Sequence, residues 1–337
     1  MGCLGGATVQ APCDKLSGLE ECALEWLGMS VVLGIDGGGT RTRASIAENG
    51  RVLAFAEHGS IKRLRVGAAV AEENLRAILA EVYKQAGVTK AAAACAGVAS
   101  SKMPGVQEWI TAVFADFKVA RSEIVGDEVI ALDGAFKGGA GILQIAGTGS
   151  NCLGRAPDGG WESCGGWSSR LGDEGSGYWI GLHAVRRALR AYDREEPTRV
   201  LDVVGGLWGA RDIDELINIG DATPGPDFAA LAPTISQLAE EGDAVALAVL
   251  HQAAADLVDS VLLVRAKLRR KHNLAAEVPV AWIGSILGKA RIVQEHWVSA
   301  LRAAAPEMPV LEQETNALEG AVWRAERLAG DTARAGA

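Results

Sequence analysis

One pattern occurs twice in this chain and constrains its fold more than any other feature. The first copy reads Val31-Val32-Leu33-Gly34-Ile35-Asp36-Gly37-Gly38-Gly39-Thr40, and the second reads Gly141-Ile142-Leu143-Gln144-Ile145-Ala146-Gly147-Thr148-Gly149-Ser150. Each is a short apolar run, the mark of a buried strand, ending in a glycine-rich turn that carries a hydroxyl. Each continues into a second strand-like segment and a sharp turn, Glu48-Asn49-Gly50 in one copy and Asp158-Gly159-Gly160 in the other. That order of strand, glycine turn, strand and tight turn is β-hairpin grammar. Two such hairpins facing each other present two sets of backbone N–H groups to one polyphosphate, because glycine keeps side chains out of the way.

The first turn lies between two strands. It therefore fits neither the Gly-Lys-Ser/Thr loop that opens a helix nor the dinucleotide Gly-x-Gly-x-x-Gly. A tight hairpin that merely needs positive φ would also select glycines. Asp36 shifts the balance, since a carboxylate beside phosphate-binding amides repels the ligand unless Mg²⁺ sits between them.

At 337 residues the chain is long enough for two domains, and 49% apolar with 22% charged residues is ordinary for a globular protein. A formal charge of −9 argues against a general nucleic-acid binder. Cys3, Cys13, Cys22, Cys95, Cys152 and Cys164 form no Cys-x-x-Cys pair, so reduced thiols in a cytoplasmic protein are expected. No apolar run is read as long enough to cross a bilayer. Residues 1–29 lack a signal-peptide pattern and are read as a poorly ordered extension, with a short helix over Leu19–Leu27 as an option.

Beyond the first hairpin, Arg51 to Glu57 reads as a strand. Glu72 to Ala86 places Leu75, Ile78, Leu79, Val82 and Ala86 on one helical stripe. Ala91 to Ala99 reads as a strand, Trp109 to Phe117 as a helix, and Glu123 to Asp127 as a strand ending on a carboxylate. Alternating strands and helices imply an α/β fold. From Trp179 onward helices dominate: Trp179 to Ala191, Asp212 to Ile219, Phe228 to Glu241 and Ala244 to Lys271. The strand Val278 to Ile283 and helices over Gln294 to Ala304 and Thr315 to Leu328 follow, and Thr223-Pro224-Gly225-Pro226 is the clearest break.

Several residues carry candidate chemistry. Asp127, at the end of an apolar strand, either caps the helix after it or accepts a proton from a substrate hydroxyl. The segment Cys164 to Gly181 is dense in glycine, aromatic and acidic residues. That mixture suits a sugar, whose hydroxyls pair with carboxylates and whose C–H face meets an aromatic ring; a loop leading into a helix capped by Asp173 or Ser176 is the plainer reading. Gly284-Ser285 is a third strand-to-glycine turn, able to receive an adenine or ribose. Lys62-Arg63-Leu64-Arg65 is a basic cluster that is either a solvated face or an approach to an anion. The five histidines show no ligand spacing.

With those segments read, the chain closely resembles the eukaryotic-type N-acetylglucosamine kinases and the bacterial BadF-type ATPases, within the actin/hexokinase/Hsp70 superfamily. The resemblance runs from Val31 to Leu328. It is carried by Gly34-Ile35-Asp36-Gly37-Gly38-Gly39-Thr40, Gly147-Thr148-Gly149-Ser150-Asn151-Cys152, Cys164-Gly165-Gly166-Trp167 and Leu171-Gly172-Asp173-Glu174-Gly175-Ser176. It implies two ribonuclease-H-like domains with a central cleft: residues 30–137, with a C-terminal helix 315–328 packing back on them, and a helix-rich second domain, residues 138–314. It also implies ATP held by Gly37, Gly38, Gly39, Thr40, Gly147, Thr148, Gly149, Ser150, Gly284 and Ser285, with Mg²⁺ near Asp36. By the same resemblance Asp127 is the catalytic aspartate, and Thr148, Gly166, Trp167 and Asp173 contact the sugar. Two positions depart from the pattern. The amino-sugar kinases carry Ser/Thr-Asn after the first hairpin, where this chain has His58-Gly59-Ser60-Ile61-Lys62-Arg63, and Ala96-Gly97 stand where relatives often offer a serine.

The expected function is ATP-dependent phosphorylation of an amino sugar, at the 6-hydroxyl of N-acetylglucosamine, by a cytoplasmic enzyme without nucleic-acid or membrane partners and compatible with a homodimer. Glucosamine and N-acetylmuramic acid are the alternative substrates, the second because Lys62, Arg63 and Arg65 suit an acidic sugar. An alternative of another class is an ATP-driven activator of a 2-hydroxyacyl-CoA dehydratase, which would need cysteines converging on an iron–sulfur cluster. A nucleotide- or sugar-binding regulator without turnover is disfavoured by the presence of Asp36, Asp127 and Asp173.

Overall fold

The protein, a computed structural model, is described over residues 31–335; the extension, its optional helix and Cys3, Cys13 and Cys22 lie outside the described residues. The chain begins with three antiparallel strands, β1 Val31–Gly37, β2 Arg41–Glu48 and β3 Arg51–Gly59. Three residues, 38–40, join β1 to β2, and Asn49 and Gly50 turn β2 into β3 with φ of 49° and 79°. Next come α1 Arg63–Val66, α2 Ala68–Ala86, β4 Ala93–Val98, α3 Val106–Asp116, β5 Ser122–Val125 and α4 Asp127–Phe136. The sheet order is β3-β2-β1-β4-β5, with β4 parallel to both β1 and β5. On one face, Leu75, Ile78, Leu79 and Val82 of α2 and Ile110, Val113 and Phe114 of α3 form its core, as the helical stripe required.

The second half repeats the plan with β6 Gly141–Ala146, β7 Ser150–Arg155 and β8 Trp161–Gly165, again with a three-residue turn, 147–149, between the first two strands. Helices α5 Gly177–Asp193, α6 Val200–Trp208, α7 Ile213–Gly220, α8 Ala232–Glu240 and α9 Ala244–His272 follow. Then come β9 Val280–Ile283, α10 Ser285–Lys289, α11 Arg291–Ala304 and α12 Ala317–Ala335. The sheet order is β8-β7-β6-β9, with β9 parallel to β6. The architecture is α/β, two mixed sheets flanked by helices.

Some expectations need correction. The helix expected over Phe228–Glu241 is two: a 3₁₀ turn, Phe228–Leu231, and then α8, where Pro233 sits at the second helical position. Helix α6 escaped notice because Gly205-Gly206 reads as a breaker, yet Val200 and Val204 bury against the core. Helix α9 is long and apolar enough to cross a membrane, contrary to the sequence reading. In the fold its stripe of Val249, Leu250, Ala253, Leu257, Val261 and Val264 is buried beneath β6–β8 and between neighbouring helices.

Helix α4 is the central member of the molecule. Its Ile130, Ala131 and Leu132 share one core with Val32 and Cys95 of the first sheet, Leu143, Leu153 and Ala281 of the second, and Ala321 and Ala325 of α12. The helix therefore touches both sheets, and α12 closes over it and over β1 and β4. An ionic chain runs through the same layer. Asp133 of α4 meets Arg155 of β7 at 2.7 Å and Arg324 of α12 at 2.5 Å, and Arg324 also reaches Glu123 of β5.

Candidate active site

Glycine turns follow β1 and β6 at equivalent places in the two sheets, and the candidate residues gather around them. Asp36 is the penultimate residue of β1 and is half-buried. The hairpin register sets it opposite Arg43 of β2, whose Nη2 donates to Asp36 Oδ2 at 2.6 Å and whose Nε donates to the same oxygen at 3.2 Å. Arg43 was missed in the sequence, although counting back from the three-residue turn pairs the two positions. Both bonds fall on Oδ2, which leaves Oδ1 without a side-chain donor among the described residues. Ser60 Oγ steadies the turn by donating to the Gly38 carbonyl at 3.3 Å.

Asp127 is the first residue of α4, and the capping position before it is Gly126, so Asp127 is not the cap. It sits beside that helix's unpaired N–H groups, which favour a carboxylate. Burial works the other way, and the Glu128 and Asp36 carboxylates add like charge; together they push the Asp127 carboxyl up to about 7. A proton acceptor balanced near neutral pH is well matched to a hydroxyl donor. Strand β5 delivers it there because Gly97 of β4 pairs with Val125, and Asp36 of β1 pairs with Gly97.

Gly97 explains one of the two departures. A Cβ at this residue would run into Ile130 of α4, so α4 can lie against β4 only because no side chain is present. At the other departure the loop is anchored by a side chain of α2. Asn74 of α2 donates from Nδ2 to the Ser60 carbonyl at 2.9 Å, so an amide supports the loop from behind.

The second turn is built into the segment expected to hold a sugar. Gly177 and Tyr178 at the start of α5 donate to the Gly147 and Thr148 carbonyls at 2.8 and 3.2 Å. Ser150 Oγ donates to the Glu174 carbonyl at 2.7 Å, and Gly166 N–H donates to the Ser150 carbonyl at 3.1 Å. Asp173 is buried, holds φ of 58°, and points its carboxylate at Gly149. Burial, with Glu174 beside it, raises its pKa. Ser176, not Asp173, caps α5 by accepting from Trp179 N–H at 3.1 Å. Gly284 abuts Ala146 and Gly147, which brings the third turn to the second. Trp167 is not packed into this group: it is 72% exposed, and Leu171 in the same loop is 81% exposed.

The candidates thus form two groups, Asp36 to Thr40 with Asp127, and Gly147 to Ser150 with Gly166, Asp173, Gly284 and Ser285, joined through α4. Among the described residues no cluster of three or more His, Cys, Asp or Glu could cage a metal. The donor set fits Mg²⁺ nonetheless, since that ion is commonly held by one or two carboxylates together with water and substrate phosphate oxygens. Asp36 is the residue suited to that role. Cys152 and Cys164 face each other on β7 and β8, whereas Cys95 lies in the other sheet, so these three do not converge as an iron–sulfur cluster requires.

The profile of the BadF/BadG/BcrA/BcrD ATPase family matches residues 33–322. An N-acetylmuramic acid/N-acetylglucosamine kinase from Clostridium acetobutylicum is 27% identical over 305 residues, covering 87% of this chain and 97% of that one. A glucosamine kinase from Vibrio cholerae is 28% identical, covering 87% and 95%. Among solved structures, a Chromobacterium violaceum protein provisionally named N-acetylglucosamine kinase superposes with a TM-score of 0.68 at 27% identity, covering 87% of this chain and 98% of that one.

Proposed function

The chain belongs to the BadF/BadG/BcrA/BcrD ATPase family, and on that premise we propose that it is an ATP-dependent amino-sugar kinase whose substrate hydroxyl is O6 of N-acetylglucosamine. One observation carries the reading: a carboxyl with a pKa of about 7, Asp127, opens the helix shared by two sheets that each end in a glycine turn. The names of the relatives support the reaction class and the amino-sugar substrate.

In this mechanism the amides of Gly38 to Thr40 and of Gly147 to Gly149 hold the polyphosphate, and Gly284-Ser285 receives the nucleoside end. Asp173, Gly166 and Thr148 orient the sugar, and Asp127 accepts the hydroxyl proton as the γ-phosphoryl group transfers in line. Asp36 is the residue that would hold Mg²⁺, and the ion would supply charge neutralisation at the polyphosphate. Little covalent work falls to the protein, so positioning and electrostatics dominate the rate. Exposed Trp167 and Leu171 are suited to cover the sugar once the two halves approach, which would exclude water and suppress ATP hydrolysis.

The test is sugar-dependent ADP release across glucosamine, N-acetylglucosamine, N-acetylmuramic acid and glucose. Release with N-acetylglucosamine above all is the expected result; release with glucose alone, or with no sugar, contradicts the proposal.

A further inference from the structure

A cavity of about 230 Å³ opens at the C-terminal end of β4, beside the first glycine turn. Its place in the site is fixed by the backbone: Val98 pairs with Gly37, Ala99 N–H donates to the Gly37 carbonyl at 3.3 Å, and Ile61 packs against Gly37. Ile61, Leu64, Val98 and Met103 give it an apolar lining, and Arg63 and Ser100 are its polar members. Leu64 and Met103 remain partly in water, 69% and 38% exposed. Ser100 holds φ of 83°, a conformation uncommon for a residue with a side chain and often found at functional sites.

Charge sharpens the reading. The cavity lining contains one cation, Arg63, and no acid, and Lys62, Arg65 and Lys102 stand next to lining residues in the sequence, in a chain of net charge −9. The Arg63 guanidinium carbon stands 5.3 Å from the Trp109 ring centre, which orients the head group without neutralising it. Among the described residues no carboxylate pairs with Arg63. An apolar wall with an unpaired guanidinium at its mouth matches a short aliphatic arm ending in an anion.

We propose that this cavity is a subsite for a carboxylate-bearing arm on the amino sugar, with Ile61, Leu64 and Met103 around the arm and Arg63 as counter-ion to the carboxylate. The proposal rests on the kinase reading only for the identity of the sugar; the cavity and its charge stand apart from turnover.

Calorimetric titration of the purified protein without nucleotide separates the two. The probes are N-acetylmuramic acid, a hexosamine with a lactyl ether, and neutral N-acetylglucosamine. The expected result is that N-acetylmuramic acid binds, and that Arg63→Glu weakens it about tenfold or more relative to the neutral sugar, the scale of a charge-assisted hydrogen bond. Arg63→Lys should recover part of that ratio. Met103→Trp, which fills the cavity and leaves the charge alone, should lower the same ratio. No binding of N-acetylmuramic acid, or an unchanged ratio in Arg63→Glu, overturns the subsite. Weakened ATP binding with an unmoved sugar ratio also overturns it, because the cations would then serve the polyphosphate. If the ratio behaves as expected but no sugar releases ADP, the kinase reading fails and the subsite stands.

Discussion

Gly149 and Asp173 are so close that a Cβ on the glycine would lie 2.7 Å from Asp173 Oδ2. The second turn and the carboxylate therefore occupy interlocking space, and the absent side chain is what admits the acid. Gly149→Ala should displace the Asp173 carboxylate. The expected outcome is a KM for the sugar raised about tenfold or more with an unchanged circular-dichroism spectrum, since misplacing an orienting group by a fraction of an ångström is costly. An unchanged KM would remove Asp173 from the sugar site.

Asp127→Asn should lower kcat by about 10²-fold or more, the usual scale for a general base. It should also stabilise the protein, because the Asp127 carboxyl is raised from 3.8 to about 7 in the fold. Below the unfolded value both states hold the proton and nothing is lost. Between roughly 4 and 7 the unfolded chain releases it first, so stability falls as pH rises and stays lower above that window. The Tm gain of the variant should be present at pH 8 and vanish near pH 4. Near-wild-type turnover in Asp127→Asn would end the assignment.

Glu128→Gln removes one of the like charges that hold the Asp127 pKa high. The ionised carboxylate is then less opposed, so the acid limb of the kcat/KM profile should move to lower pH. A shift to higher pH, or none, would point to another titrating group.

Asp36→Asn deprives Arg43 of its carboxylate partner and, on the proposed role, takes a ligand from Mg²⁺. The Mg²⁺ concentration for half-maximal turnover should rise, with a smaller change in the KM for sugar. Metal titration at saturating sugar checks this.

Asp133 has no exposed surface and pairs with Arg155 and Arg324, the first of which is 8% exposed in its side chain. Asp133→Asn would leave buried positive charge without its partner and should cost about 3–5 kcal/mol in denaturant unfolding. A loss below about 1 kcal/mol would mean that water reaches these arginines.

The repeated hairpins were legible because their signal is local: a short apolar run marks a buried strand, and adjacent glycines mark its turn. The same holds for the α2 stripe of Leu75, Ile78, Leu79 and Val82. Arg43 was hidden because its meaning lies across a strand pair, not along the chain. Gly97 was hidden too, since its partner Ile130 is distant in sequence and the glycine serves packing. The apolarity of α9 misled for a related reason: composition cannot tell a stripe covered by protein from one covered by lipid. Lys62 to Arg65 could be read as basic but not as bordering a cavity, because the other wall, Val98 to Val106, arrives from beyond α2 and β4.

Helix α4 starts with Asp127 and then spends Ile130, Ala131 and Leu132 on both halves of the molecule. An axle of this kind turns least when the parts mounted on it swing. If the proposed closure occurs about this helix, Asp127 would keep its place while its surroundings change, so closing would tune its basicity by drying it and not by carrying it to the sugar.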